Sequence, residues 1–113
     1  MVGLALAALL RREDDSLRLA VIDAGAPPSF DESADVGLRV SAVSPASAAL
    51  LARCGAWEAV ERTRMGTYGA MCVWDARGSE DGGEAVRFGA DELGLPELGH
   101  IVENELIRDA LYG

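Results

Sequence analysis

The sequence predicts an α/β fold with an antiparallel insertion, and three observations carry that expectation. Half of the 113 residues are apolar, enough to build one core in a chain about one small domain long. Helical stretches alternate with short runs rich in Val and aromatic residues, in the order helix, strand, helix, hairpin, strand, helix. Clusters containing Gly, Pro and acidic residues separate them.

The first helix spans 3–12, built of Leu and Ala and apolar almost all round, with Arg11 and Arg12 in its last turn where cations suit the helix dipole. Such a helix expects cover on more than one side. The polar loop EDDS follows, and the run LRLAVI at 17–22 fits a strand buried on both faces of a parallel sheet. Gly25, Pro27 and Pro28 break regular structure, and an acidic stretch (Asp31, Glu32, Asp35) leads to Gly37. Ser44-Pro45 is a helix start: Ser accepts from first-turn amides, and Pro is preset for the first helical position. That helix stops at Gly55, and a short helical piece covers 57–62. A strand at 68–75 (YGAMCVWD) turns through RGSEDGG and returns at 84–88 as a hairpin partner. A further strand covers 98–102 and a last helix 104–112, with Asn104 as its cap.

Charge and cysteine usage exclude several classes of function. Ten basic residues, all Arg, face nineteen acidic ones for a net charge of -9, which disfavours binding to nucleic acid or anionic lipid. Cys54 and Cys72 form no CxxC pair, and one His is too few to complete a metal site. Partly buried, reduced thiols and a cytoplasmic setting are expected. The apolar opening of ten residues is too short to cross a bilayer, and its Arg pair follows rather than precedes it, unlike a secretory signal.

The chemistry-bearing pattern is Gly3 opening a helix and Asp23 closing the next strand, twenty positions on. That is the spacing of a dinucleotide-binding unit, in which the strand end offers a carboxylate to ribose hydroxyls and the helix start faces a pyrophosphate. Met1-Val2-Gly3 matches only the tail of a GxGxxG fingerprint, and the first two glycines would lie upstream.

MVGLALAALL, LAVIDAG, LRVSAVSPASAALLARCGAWEAV, YGAMCVWDARG and LGHIVENELIRDAL together resemble the front quarter to third of the flavin-dependent aromatic hydroxylases of ubiquinone biosynthesis, the UbiH/Coq-type members of the para-hydroxybenzoate hydroxylase superfamily. LRVSAVSPAS and GHIVEN are the distinctive blocks. The resemblance implies a partial Rossmann-like FAD-binding domain over 1–113 that lacks its first strand, with the 66–90 hairpin region belonging to a substrate-side sheet. It makes Met1 an internal methionine and the chain a fragment inactive alone. Carried over position by position, it implies that Gly3 is the last fingerprint glycine, that Asp23 meets the adenosine ribose and that Arg39 lies near the flavin and its pyrophosphate. Either Glu103 or Asn104 holds the place of a polar cofactor contact at a helix start, and the sequence leaves the choice between them open. No catalytic residue and no metal ligand is implied here, and Asp81-Gly82 is a turn, not the family's later Asp-Gly motif. The parent activity would hydroxylate an aromatic small molecule with FAD, NAD(P)H and dioxygen. A homo-oligomer or a biosynthetic complex, membrane-associated through its partners, would be the setting.

Plainer roles compete at each position. Arg39 is also read as a surface arginine pairing with Asp35 or Glu32, Asn104 as a helix cap, His100 as a structural histidine, and Trp57 and Trp74 as core or interface anchors. A non-catalytic module that binds no flavin is the second reading of the whole. A pyridine-nucleotide dehydrogenase fragment, resting on the Asp23 spacing alone, is the third. Loss of a central first strand predicts exposed apolar surface and an unpaired edge at 17–22.

Overall fold

A computed structural model describes residues 1–27 and 29–113; Pro28, one of the expected breakers, lies outside the described residues. The elements are helix α1 (Val2–Glu13), strand β1 (Val40–Val43), helices α2 (Pro45–Cys54) and α3 (Trp57–Thr63), strands β2 (Gly66–Tyr68), β3 (Ala70–Val73), β4 (Val86–Gly89) and β5 (Gly99–Glu103), and helix α4 (Asn104–Tyr112). A single 3-10 turn, Asp91–Leu93, precedes β5. The chain is α/β, with two small antiparallel sheets in place of the expected parallel one: β1-β5-β2, and the ribbon β3-β4.

Local chemistry explains the best-defined element. Ser44 is in an extended conformation and its Oγ accepts from the Ser47 amide at 3.2 Å, Pro45 occupies the first turn, and Gly55 closes the helix in the left-handed region at φ 87. β5 is the central strand of its sheet, and its first residue, Gly99, must be glycine on steric grounds. A Cβ there would stand 2.5 Å from the Val43 carbonyl oxygen and 3.0 Å from the Tyr68 hydroxyl. β2 and β3 are two halves of one chain path that changes sheets at Gly69; Tyr68 pairs with Gly99, and Ala70 with Gly89.

The core lies between the β1-β5 ladder and helices α2, α3 and α4, where Val43, Leu51, Trp57, Val60, Val102, Leu106 and Ile107 pack together. Trp57 is a core anchor, whereas Trp74 is 46% exposed and lies outside the core cluster. α1 rests on α2 and α4 and buries only Leu4, so its other apolar faces stay open.

The largest departure from expectation is 17–22, which is not a strand. Its residues are exposed, Ile22 to 95%, and beyond the Leu17 amide donating to Asp14 no backbone hydrogen bond engages it among the described residues. Strand formation is not a local property, because its amides and carbonyls need a neighbour. The edges of the three-stranded sheet are β1 and β2, and 17–22 joins neither. Asp23 therefore follows an exposed, unpaired stretch rather than ending a buried strand. The last helix also begins differently: Glu103, not Asn104, takes the N-cap position, and no side chain caps it.

These open surfaces give the chain a radius of gyration of 17.2 Å, against about 13 Å for a compact domain of this length. Truncating the core residue Leu106 to Ala should cost about 2 to 5 kcal/mol, seen as a lower urea midpoint. Ile22→Asp should change stability by less than about 0.5 kcal/mol in the same titration, because its side chain contacts little.

Candidate functional site

The β1-β5 ladder builds the site. Its register pairs Val40 with Glu103 and Ser41 with Val102, and the Asn104 amide donates to the Arg39 carbonyl at 2.9 Å. Arg39, Glu103 and Asn104 thus meet at one junction although more than sixty positions separate the first from the others. The Ser41 hydroxyl donates to Asn104 Oδ1 at 2.5 Å. With Oδ1 engaged there, the Asn104 side-chain NH2 has no protein acceptor among the described residues and remains a donor for a ligand. The Arg39 side chain is exposed, and among the described residues it pairs with neither Asp35 nor Glu32.

Glu103 is the best-held group of the junction. Its side chain is 8% exposed and forms a two-pronged ion pair with Arg64, Nε to Oε2 at 2.7 Å and Nη2 to Oε1 at 3.2 Å. The Gly37 amide donates to Oε1 at 2.7 Å. These hydrogen bonds, that from Arg64 foremost, hold the Glu103 carboxyl below the ordinary glutamate range and raise Arg64 in turn. Arg64 carries no signal in the sequence, and only the fold shows what it does.

No hydrogen bond or ion pair among the described residues joins Asp23 or Gly3 to Arg39, Glu103 or Asn104. Asp23 Oδ1 accepts from the Gly25 amide at 3.2 Å, and Oδ2 lies 3.8 Å from Arg108. Arg108 stands one helical turn after Asn104, on the same face of α4. Gly3 sits in the first turn of α1, where no acidic residue lies and Met1 caps no amide with its side chain. A Cβ on Gly3 would meet nothing within 4 Å, so no contact in this chain requires glycine there. An open groove of about 430 Å³ runs from Met1 and Val2 to Ser41, lined by Leu6, Leu50 and Ile107 among others, and Gly3, Asp23, Arg39, Glu103 and Asn104 are not among its lining residues. Its wall is almost wholly apolar, with the Ser41 and Ser47 hydroxyls as its polar members, and the Ser41 proton is already given to Asn104.

His100 is structural in its surroundings: it is buried, with Nδ1 3.2 Å from the Thr67 hydroxyl, Nε2 3.0 Å from Glu97 and its ring against Trp57. No group of three or more His, Cys, Asp or Glu side chains suited to a metal occurs among the described residues, and no helix among them is long and apolar enough to cross a membrane.

No family model matches the chain. Among curated proteins, it is 36% identical to the 3-demethoxyubiquinol 3-hydroxylase of Escherichia coli over 99% of its own length and 27% of the relative's. It is 35% identical to the ubiquinone biosynthesis monooxygenase COQ6 of Xenopus tropicalis over 98% of the chain and 23% of that protein. Against the human COQ6 protein the identity is 40%, over 65% of the chain and 14% of the relative. The chain therefore spans about a quarter, or less, of the length of the curated relatives it matches.

The Glu103 pair has a pH signature. Because its carboxyl titrates lower in the folded chain than in the unfolded one, the stabilisation is complete above the ordinary glutamate value of about 4.3 and is lost as pH falls through the lower folded value. Thermal midpoints of the wild type and Glu103→Gln should differ at neutral pH and converge as the solution is acidified below that value.

Proposed function

We infer that this chain, homologous over nearly all its length to part of the ubiquinone-biosynthesis hydroxylases, is the FAD-binding portion of a monooxygenase that hydroxylates the aromatic ring of a ubiquinone precursor. The observation that carries the reading is the convergence of Arg39, Glu103 and Asn104 at the β1-β5-α4 junction, beside a groove that reaches from the start of α1 to Ser41, the hydrogen-bond partner of Asn104. The residues fit the cofactor's adenosine and pyrophosphate side. Gly3 leaves room for close approach beside uncapped, dipole-favoured amides. The Asp23 carboxylate is accessible to ribose hydroxyls, with Arg108 near enough to hold it. The Arg39 guanidinium can meet phosphate oxygens with two prongs, and the Asn104 side-chain NH2 is a further donor. The domain is then a partial Rossmann-like one, with the 66–90 hairpin region belonging to a substrate-side sheet.

FAD supplies the redox chemistry when bound, taking reducing equivalents from NAD(P)H and activating dioxygen for transfer of one oxygen atom to the ring. The chain's own part is to bind, orient and exclude water. The apolar wall of the groove keeps water from the bound cofactor, and Arg39 offsets phosphate charge that the overall acidity of -9 would otherwise repel. None of the residues at the junction is asked to move a proton, so this portion is inactive without the substrate side.

Titrating FAD into the purified chain and following flavin fluorescence tests the reading. Binding is expected, and Asp23→Ala and Arg39→Ala should each weaken it by about 10- to 150-fold, the equivalent of losing one charged hydrogen bond of about 1.5 to 3 kcal/mol. A folded chain that takes up no FAD would leave the non-catalytic interaction module standing, and binding of NADH without FAD would favour the dehydrogenase fragment.

A further inference from the structure

Among the described residues Arg64 is the most heavily engaged side chain, with four hydrogen bonds, and neither the dinucleotide pattern nor the apolar core accounts for it. It leaves the end of α3, and besides the Glu103 carboxylate its Nη1 donates to two carbonyls of the 30–37 segment, Glu32 at 3.2 Å and Ala34 at 2.9 Å. Its guanidinium carbon lies 5.0 Å from the centre of the Phe30 ring. The same segment is tied at its far end by the Gly37 amide on Glu103 and at its near end by the Phe30 amide on Asp109 at 3.3 Å. The strap so fastened runs directly into Arg39, and Glu103 is the residue immediately before Asn104.

We propose that Arg64 is a positioning residue of the cofactor site: by clamping Glu103 and the 30–37 strap together it sets the β5-α4 turn and presents Arg39 and Asn104 to the ligand. The proposal rests on the FAD-binding reading for its ligand. The clasp itself stands on geometry alone. A planar guanidinium is required for it, because one group must meet a carboxylate with two prongs and two carbonyls with a third nitrogen. Lysine keeps the charge but offers a single ammonium that cannot span these partners. Gly37 belongs to the same device. A Cβ there would stand 3.2 Å from Glu103 Oε1, so its lack of a side chain lets the carboxylate reach the strap amide.

The test combines FAD affinity with hydrogen exchange of the ligand-free chain, using Arg64→Lys, Glu103→Gln, the double variant and Asp23→Ala. Arg64→Lys should raise amide exchange in 30–37 at least tenfold and weaken FAD about tenfold. The double variant should lose no more affinity than the worse single one, because the two residues act through one contact. Arg64→Lys and Asp23→Ala should multiply their effects, which a general loss of stability would not separate from the coupled pair. If Arg64→Lys fails to fold, Gly37→Ala replaces it and should show the same paired change. Unchanged exchange in 30–37, or losses that multiply between Arg64→Lys and Glu103→Gln, would overturn the proposal. A wild-type chain that binds no FAD would remove the flavin reading and the ligand-facing half of the proposal, and the exchange result would still decide the clasp.

Discussion

The β1-β5 ladder is the interaction on which the rest of the molecule depends. It joins residues about sixty positions apart, so its formation closes a long loop before it returns any packing. Once the register of Val40 against Glu103 is set, the core follows, because Val43 and Val102 then face α2, α3 and α4. The site follows as well, because the same register lays the start of β1 beside the start of α4. A slip of one residue would turn the core valine of the slipped strand, Val43 or Val102, away from the core and pull Asn104 off the Arg39 carbonyl at one stroke.

Charge at the junction is arranged in two layers. Glu103 and Arg64 satisfy one another inside, with the carboxylate almost wholly shielded, and such a pair is costly to break because each partner alone would be a poorly solvated charge. Arg39 stays outside in solvent. An acidic chain can in this way expose one cation where an anionic ligand would need it, while its most constrained acid is already neutralised.

What was legible in the sequence was mostly local. Ser44-Pro45 and Gly55 mark the ends of α2 because capping and left-handed closure depend on the residues in place, and the hairpin and the last helix were readable for similar reasons. What was missed is non-local. LRLAVI has the composition of a buried strand, yet composition supplies no partner, and 17–22 lies exposed. The antiparallel pairing of β1 with β5 has no signature in either segment, and Asn104 was read as a cap where Glu103 takes that place. Pattern and resemblance point to Gly3, Asp23, Arg39, Glu103 and Asn104. Nothing in the sequence points to Arg64, because its partners lie thirty and more positions away and no motif surrounds it.

The crossing at Gly69 has a consequence for how the molecule comes apart. The β3-β4 ribbon presents Met71, Val73, Val86 and Phe88 on one face, each about half exposed. It continues from β2 at Gly69, the Ala90 amide donating to the Gly69 carbonyl closes its end, and among the described residues no main-sheet strand or α-helix packs broadly against it. A two-stranded ribbon with so little support is marginal in water. It can fray and re-form while β1, β5 and β2 stay paired, so the chain has two separate thresholds of opening rather than one. The junction that holds Arg39 and Asn104 lies on the side of the higher threshold.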